Sequence, residues 1–365
     1  MSDRKPLVSF FRGLAIIMVV LCHSKCHFEL TDAMRIPLDF CQMGCQVFFV
    51  MSSYCLCFSY KNKASTVSFY KRRLLSIAPG YWTIVVVNLF AAFVLGKLFT
   101  WPFPLNTGRK GVSLNLLLLH GFSFDMEIMN NVVFGGWFIG TMVVFYALFP
   151  ILFRLYFGTL AHWDNSRYFI FPIAFLLFDI LVCIILEKSC GIVCDLNNAL
   201  YYSFVNQLPA FVCGLSLFDM MEKEESKEHP FFAVVFLLLA YVVFCASNKL
   251  SYIFCPWLMA MGSAYAYRYF SHSLKNHNSK LFEFVCKLGE KSYAIFLIHF
   301  WAVAAMVTFI RKYTFFSVMD CSENVLYLLM LPLILVVSYF LGVVFDKYLS
   351  SMHHLRIVRN LRAVE

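Results

Sequence analysis

Charge is what this chain has least of. Of its 365 residues only 14% are Asp, Glu, Lys or Arg, while 61% are hydrophobic. Soluble domains run to roughly a quarter charged and about half apolar, so the excess apolar surface has to face lipid. Long polar blocks are absent too: apolar runs recur from one end to the other, which excludes the pair of soluble domains that the length alone would allow. The expectation is a single integral-membrane domain over 1–365. No internal repeat or low-complexity tract stands out, and Glu222 to His229 reads as a mixed-charge, solvated connector. Arg4 and Lys5 precede a short apolar core, Leu14 to Cys22, but no small-x-small cleavage site follows and Arg12 sits too close to that core. The first run is therefore read as a retained helix rather than a signal peptide.

Cysteine, in contrast, is plentiful at fourteen. Most of these lie inside apolar runs, as Cys55, Cys57, Cys183, Cys213, Cys245 and Cys286 do, where they behave as small hydrophobes rather than as a disulfide framework. Only Cys190 with Cys194, and the group Cys22, Cys26, Cys41 and Cys45, fall near helix ends where oxidation is conceivable. The net charge of +9 is spread beside apolar segments and forms no stripe with interleaved exposed aromatics. The bilayer, not nucleic acid, is the expected partner of the basic residues.

A spanning helix needs about 20 mostly apolar residues. Ten runs qualify by eye: Ser9 to Cys26, Cys41 to Tyr60, Ile77 to Phe99, Phe134 to Phe157, Tyr168 to Leu186, Asn198 to Met220, Phe231 to Ser247, Tyr252 to Phe270, Ser292 to Ile310 and Asn324 to Phe345. The fold class they predict is all-α, a polytopic membrane protein with about ten transmembrane helices in one bundle. Val112 to Phe122 is apolar but too short to span, so a re-entrant or interfacial segment is expected there. With the N-terminus cytoplasmic, 21 of the 30 Lys and Arg fall on the cytoplasmic side. Because basic residues are enriched in cytoplasmic loops, both termini are expected there, with the protein in the cell (inner) membrane.

Some residues carry chemistry into these runs. Arg12 and His23 lie eleven residues apart on the first helix, about three turns and roughly 16 Å along the axis, on nearly one face. An ionisable side chain inside a span is costly and marks a functional candidate. The alternatives are a snorkelling Arg12 and an interfacial His23. The neighbouring CHSKCH, Cys22 to His27, has one residue too many for a c-type haem site and lacks a second half at zinc-ligand spacing, so no metal is expected. Phe69 to Trp82, FYKRRLLSIAPGYW, sets Lys71, Arg72 and Arg73 at the start of the third run. Guanidinium groups bind phosphate bidentately, and the same charges also serve as orientation signals.

Five segments in order resemble the acyltransferase-3 family of multi-spanning membrane acyltransferases. They are FRGLAIIMVVLCH (Phe11 to His23), GCQVFFVMSSYCL (Gly44 to Leu56), FYKRRLLSIAPGYW, GWFIGTMVVFYALFP (Gly136 to Pro150) and SYAIFLIHFW (Ser292 to Trp301). The resemblance covers nearly the whole chain. It implies transfer of an acyl group, usually acetyl from acetyl-CoA, to a hydroxyl of a carbohydrate or glycan acceptor, with no tightly bound cofactor. By position, Arg12 and His23 match the family's essential Arg and His, and Arg72 and Arg73 match the start of its basic motif. Departures are Ser76 in place of a further Arg, Gln46 where Asp is common, Ser53 where Gly is common, and Met142 where many members have Glu.

On that reading Lys71, Arg72 and Arg73 hold the phosphates of acyl-CoA, and the pantetheine arm passes Arg12. His23 is then the general base toward the acceptor hydroxyl, with Ser52, Trp137, Tyr146 and His299 in supporting positions. Two rival classes stay open: a secondary transporter or channel, though no inverted-repeat symmetry is visible, and an acyl-CoA-binding membrane protein that no longer catalyses, suggested by Ser76 and Met142.

Overall fold

The computed structural model describes residues 5–61, 65–94, 107–159, 167–196, 198–223, 230–273, 279–313 and 322–353. Outside them lie Arg4, residues 62–64 of the basic loop, the end of the third run (95–99) and most of the connector (224–229). The described residues form helices and no strands. In chain order they are α1 (Lys5–Ser24), α2 (Asp32–Phe40), α3 (Gly44–Lys61), α4 (Thr66–Val94) and α5 (Arg109–Leu116). Then come α6 (Met126–Asn130), α7 (Gly136–Arg154), α8 (Arg167–Cys190), α9 (Ala199–Tyr202) and α10 (Phe204–Glu222). The last five are α11 (Phe231–Cys245), α12 (Lys249–Ser273), α13 (Lys280–Glu290), α14 (Ser292–Tyr313) and α15 (Glu323–His353).

Where described, all ten apolar runs are largely helical, but the number ten is not reached on length and apolarity. Among the described residues seven helices are long and apolar enough to cross a membrane, and eight if α13 and α14, bent by 83°, count as one span. α11 has only 15 residues. α12 has 25 residues, but it carries serines, tyrosines, Lys249 and Arg268 along its length. Its inward positions, Ser251, Ser263 and Arg268 among them, are buried, so its polarity reflects protein neighbours rather than lipid. The short apolar stretch is covered by α5 and a 3-10 turn, His120–Phe122.

The chain divides into two compact units. One comprises Met1–Gly44, Pro79–Tyr81 and His277–Glu365. Here α1 buries Leu7, Phe11, Ala15, Val19 and Cys22, a spacing of three and four that makes one helical face. That face packs on α13, α14 and α15, and α14 packs on α15. α1 and α13 approach to backbone contact, because a Cβ on Gly13 would overlap the Val285 carbonyl and one on Gly289 the Ser9 carbonyl.

The other unit comprises Cys45–Ala78 and Trp82–Asn276. α10 is its centre, buried nearly throughout and flanked by α7, α8 and α12. Polar side chains inside it are paired as interhelical glue. Gln46 Nε2 donates to Gln207 Oε1 at 2.7 Å and Gln207 Nε2 to the Tyr201 carbonyl at 2.7 Å. Arg167 grips Asp219 through two bonds, 2.5 and 2.7 Å. In contrast α8 turns Ile173, Leu177, Leu181 and Ile184 outward, the face a lipid-contacting helix presents.

Candidate active site

The backbone crossing of α1 and α13 leads directly to the site. Because α13 is tied to α1 at Gly13 and Gly289 and the chain bends by 83° into α14, the position and direction of α14 follow from a contact that two glycines make close. One face of α14 thereby meets the far end of α1. The His23 and His299 ring centroids are 5.2 Å apart, and Phe300 lies 4.3 Å from each.

The two imidazoles differ. His299 is fully buried, its Nδ1 is 2.6 Å from the Phe296 carbonyl oxygen, and its Nε2 is buried with no partner. His23 is half-buried, and the rings of His299 and Phe300 pack against its imidazole. Around the pair the polar groups are engaged elsewhere. Ser24 Oγ and the Tyr327 hydroxyl share a hydrogen bond of 3.0 Å, and Lys25 pairs with Asp39. Arg12 is half-buried and its Nε, buried, has no partner. A guanidinium N–H left so in a helix interior is a donor waiting for an acceptor.

The remaining candidates lie in the other unit. Arg72 donates from one terminal nitrogen to Ser68 Oγ at 2.7 Å, while its Nε and other terminal nitrogen are buried without partners. Arg73 donates to Ser59 Oγ at 2.8 Å and stacks over Phe69, 5.7 Å from the ring centre. Lys71 is half-buried beside them. Ser76, where the resemblance has a further Arg, is exposed and donates to the Arg73 carbonyl at 2.9 Å. Trp137 is buried in the first turn of α7, 5.0 Å from Tyr202 and 6.3 Å from Phe49. Ser52 and Tyr146 are half-buried.

Structure also accounts for departures from the family pattern. Ser53 faces Gly214, whose Cβ, if present, would overlap that of Ser53, so the small residue the crossing of α3 and α10 requires is supplied from α10. Gln46 exchanges a carboxylate for one half of a carboxamide pair. Met142 is buried in apolar surroundings. Sequence reasoning missed Tyr327, Gln207 and the Arg167–Asp219 pair. It also passed over Asp179, buried in α8 with Oδ2 unpartnered, although a lone acid in an apolar run was signal enough. Among the described residues no three His, Cys, Asp or Glu could together hold a metal ion.

Apolar helices with neighbouring imidazoles and an open guanidinium inside them mark an integral membrane protein with a candidate site in its interior. Residues 8–345 match the acyltransferase-3 family, described as an acyltransferase domain, and the chain belongs to that family. A curated relative, acyltransferase MdmB of Streptomyces mycarofaciens, is 25% identical over 157 residues, 42% of this chain and 40% of the relative. The match thus spans about two fifths of that relative's length. No solved structure matches the chain.

Proposed function

We propose that the chain is an integral-membrane O-acyltransferase that moves an acyl group, acetyl in the first instance, from acyl-CoA to a hydroxyl of a carbohydrate or glycan acceptor. The observation that carries this reading is the His23 imidazole, on a helix of the family domain, half-buried and packed against the rings of His299 and Phe300. A ring so placed is available to a substrate hydroxyl, and a neutral imidazole nitrogen can take its proton as a general base. The hydroxyl proton passes to His23 as the oxygen attacks the thioester carbonyl. The C–S bond then breaks, and the departing CoA sulfur takes the proton from the imidazolium. Arg12, about 16 Å away along α1, is too far to touch the same acyl carbon and holds a remote part of the donor. Arg72, with two buried donors open, suits a CoA phosphate, with Lys71 and Arg73 adding charge. The basic asymmetry supports cytoplasmic termini in the cell membrane.

The test uses purified protein in lipid nanodiscs, [14C]acetyl-CoA and a panel of sugar acceptors. His23→Ala and His23→Gln should cut single-turnover transfer by roughly 10² to 10⁴ fold while binding of a non-hydrolysable CoA analogue stays near wild type. Transfer retained in both variants would eliminate the base. Analogue binding without transfer in the wild type would identify a CoA-binding protein that does not catalyse.

A further inference from the structure

Among the buried groups without work in that mechanism is Nε2 of His299, fully enclosed and unpartnered. Its neighbour on the same ring decides what it can do. A carbonyl oxygen only accepts hydrogen bonds, so in the neutral imidazole the proton sits on Nδ1, toward Phe296, and Nε2 is a lone pair. Beside this ring stands that of His23, with centroids 5.2 Å apart and planes tilted by 37°. The two rings are not bonded as they stand, but at this separation a turn of the His23 ring can bring one of its nitrogens to about 3 Å from Nε2, within hydrogen-bond range. Phe300 packs on both rings and offers no competing acceptor.

We propose that His299 is a positioning residue for His23: its Nε2 accepts an N–H from the His23 ring, which fixes the tautomer and leaves the other His23 nitrogen bare for the acceptor hydroxyl. The inference deepens the acyltransferase reading and rests on it for its catalytic meaning. The logic is that of the third member of a catalytic triad, which orients a base without titrating. A neutral imidazole does this where a carboxylate would place a charge within the helices at high cost. Other polar groups nearby do not compete for the His23 ring. Lys25 is held by Asp39 and by Cys22 Sγ at 3.8 Å, and Tyr327 is held by Ser24. During transfer the hydroxyl proton moves to the bare His23 nitrogen and on to the CoA sulfur, and His299 keeps its own proton throughout.

Two amides separate this role from packing. In His299→Asn the amide occupies the place of Nδ1 and preserves the bond to Phe296. In His299→Gln it reaches the place of Nε2 and presents an oxygen to His23. The expected result is a fall in kcat of about 10- to 100-fold for Asn, substantial recovery for Gln, and an unchanged KM for acetyl-CoA in both. A second readout needs no acyl transfer: the rate at which diethyl pyrocarbonate modifies His23, followed by mass spectrometry, should fall in Asn and recover in Gln. Asn equal to or better than Gln in this modification rate overturns the pairing, even if the wild type transfers acetyl. Gln above Asn in modification, in a wild type that transfers nothing, sustains the pairing and removes the acyltransferase reading instead.

Discussion

The crossing of α1 and α13 and the basic turn of α4 solve opposite problems. At the crossing two positions carry no side chain: Gly13 and Gly289 bring backbone against backbone, and the helix that carries His299 inherits its position from that contact. At the basic turn the side chains are long and are tethered through hydroxyls, Arg72 by Ser68 and Arg73 by Ser59. A reacting hydroxyl needs an angle held to a fraction of an ångström, which close packing supplies. A phosphate needs charge and some adjustability, which a serine-held guanidinium supplies. On the proposed function, rigid groups serve bond making and adjustable ones serve binding.

The sharpest way to break the comparison is Arg72→Ala with Arg73→Ala. Each charge-assisted contact is worth about 1.5 to 3 kcal/mol, so the KM for acetyl-CoA should rise by about 10² fold or more while kcat at saturation stays near wild type. Initial-rate kinetics decide, and a loss confined to kcat would make the turn structural. Gly289→Ala probes the other side. Its Cβ overlaps the Ser9 carbonyl, so overpacking should cost about 1 to 3 kcal/mol in thermal stability. Displacement of α14 should lower kcat by up to about 10² fold with KM unchanged. A variant as stable and active as wild type would show that the backbone contact does not position the pair.

The smallest effect concerns pH. Between the apolar helices, burial pushes the His120 imidazole down from its usual 6.5 to about 4, and its Nε2 lies 3.1 Å from the Gly136 carbonyl. The unfolded chain therefore binds more protons than the folded one between those values, and stability falls as pH drops through that window. The slope should be on the order of 1.4 kcal/mol per pH unit inside it. In His120→Asn the slope should flatten, as thermal melts from pH 7 to pH 5 would reveal; parallel slopes would assign the acid sensitivity to another group.

Much of the site was legible because periodicity places residues on a helix face without reference to anything else. Arg12 and His23 share a face by spacing alone, and Lys71 to Arg73 announce themselves as a cluster. What Ser53 and Gln46 mean was not legible, since their explanation sits on α10, at Gly214 and Gln207. Asp219 was hidden in the same way, because its meaning is Arg167, contributed by another helix.

By itself the sequence determined where helices form, since a backbone in lipid must satisfy its own hydrogen bonds and apolar runs of that length have no other way to do it. It also determined that ionisable groups would sit inside them. Among the described residues seven or eight helices are long and apolar enough to span, against the ten expected, because apolarity records contact with lipid and α12, with polar positions buried against protein, escapes it. Tertiary structure alone decided that His299 stands beside His23. Helical spacing relates residues a few turns apart, whereas this pair is joined by two glycines that let α13 rest on α1, a contact whose geometry comes from packing and not from any local pattern in the chain.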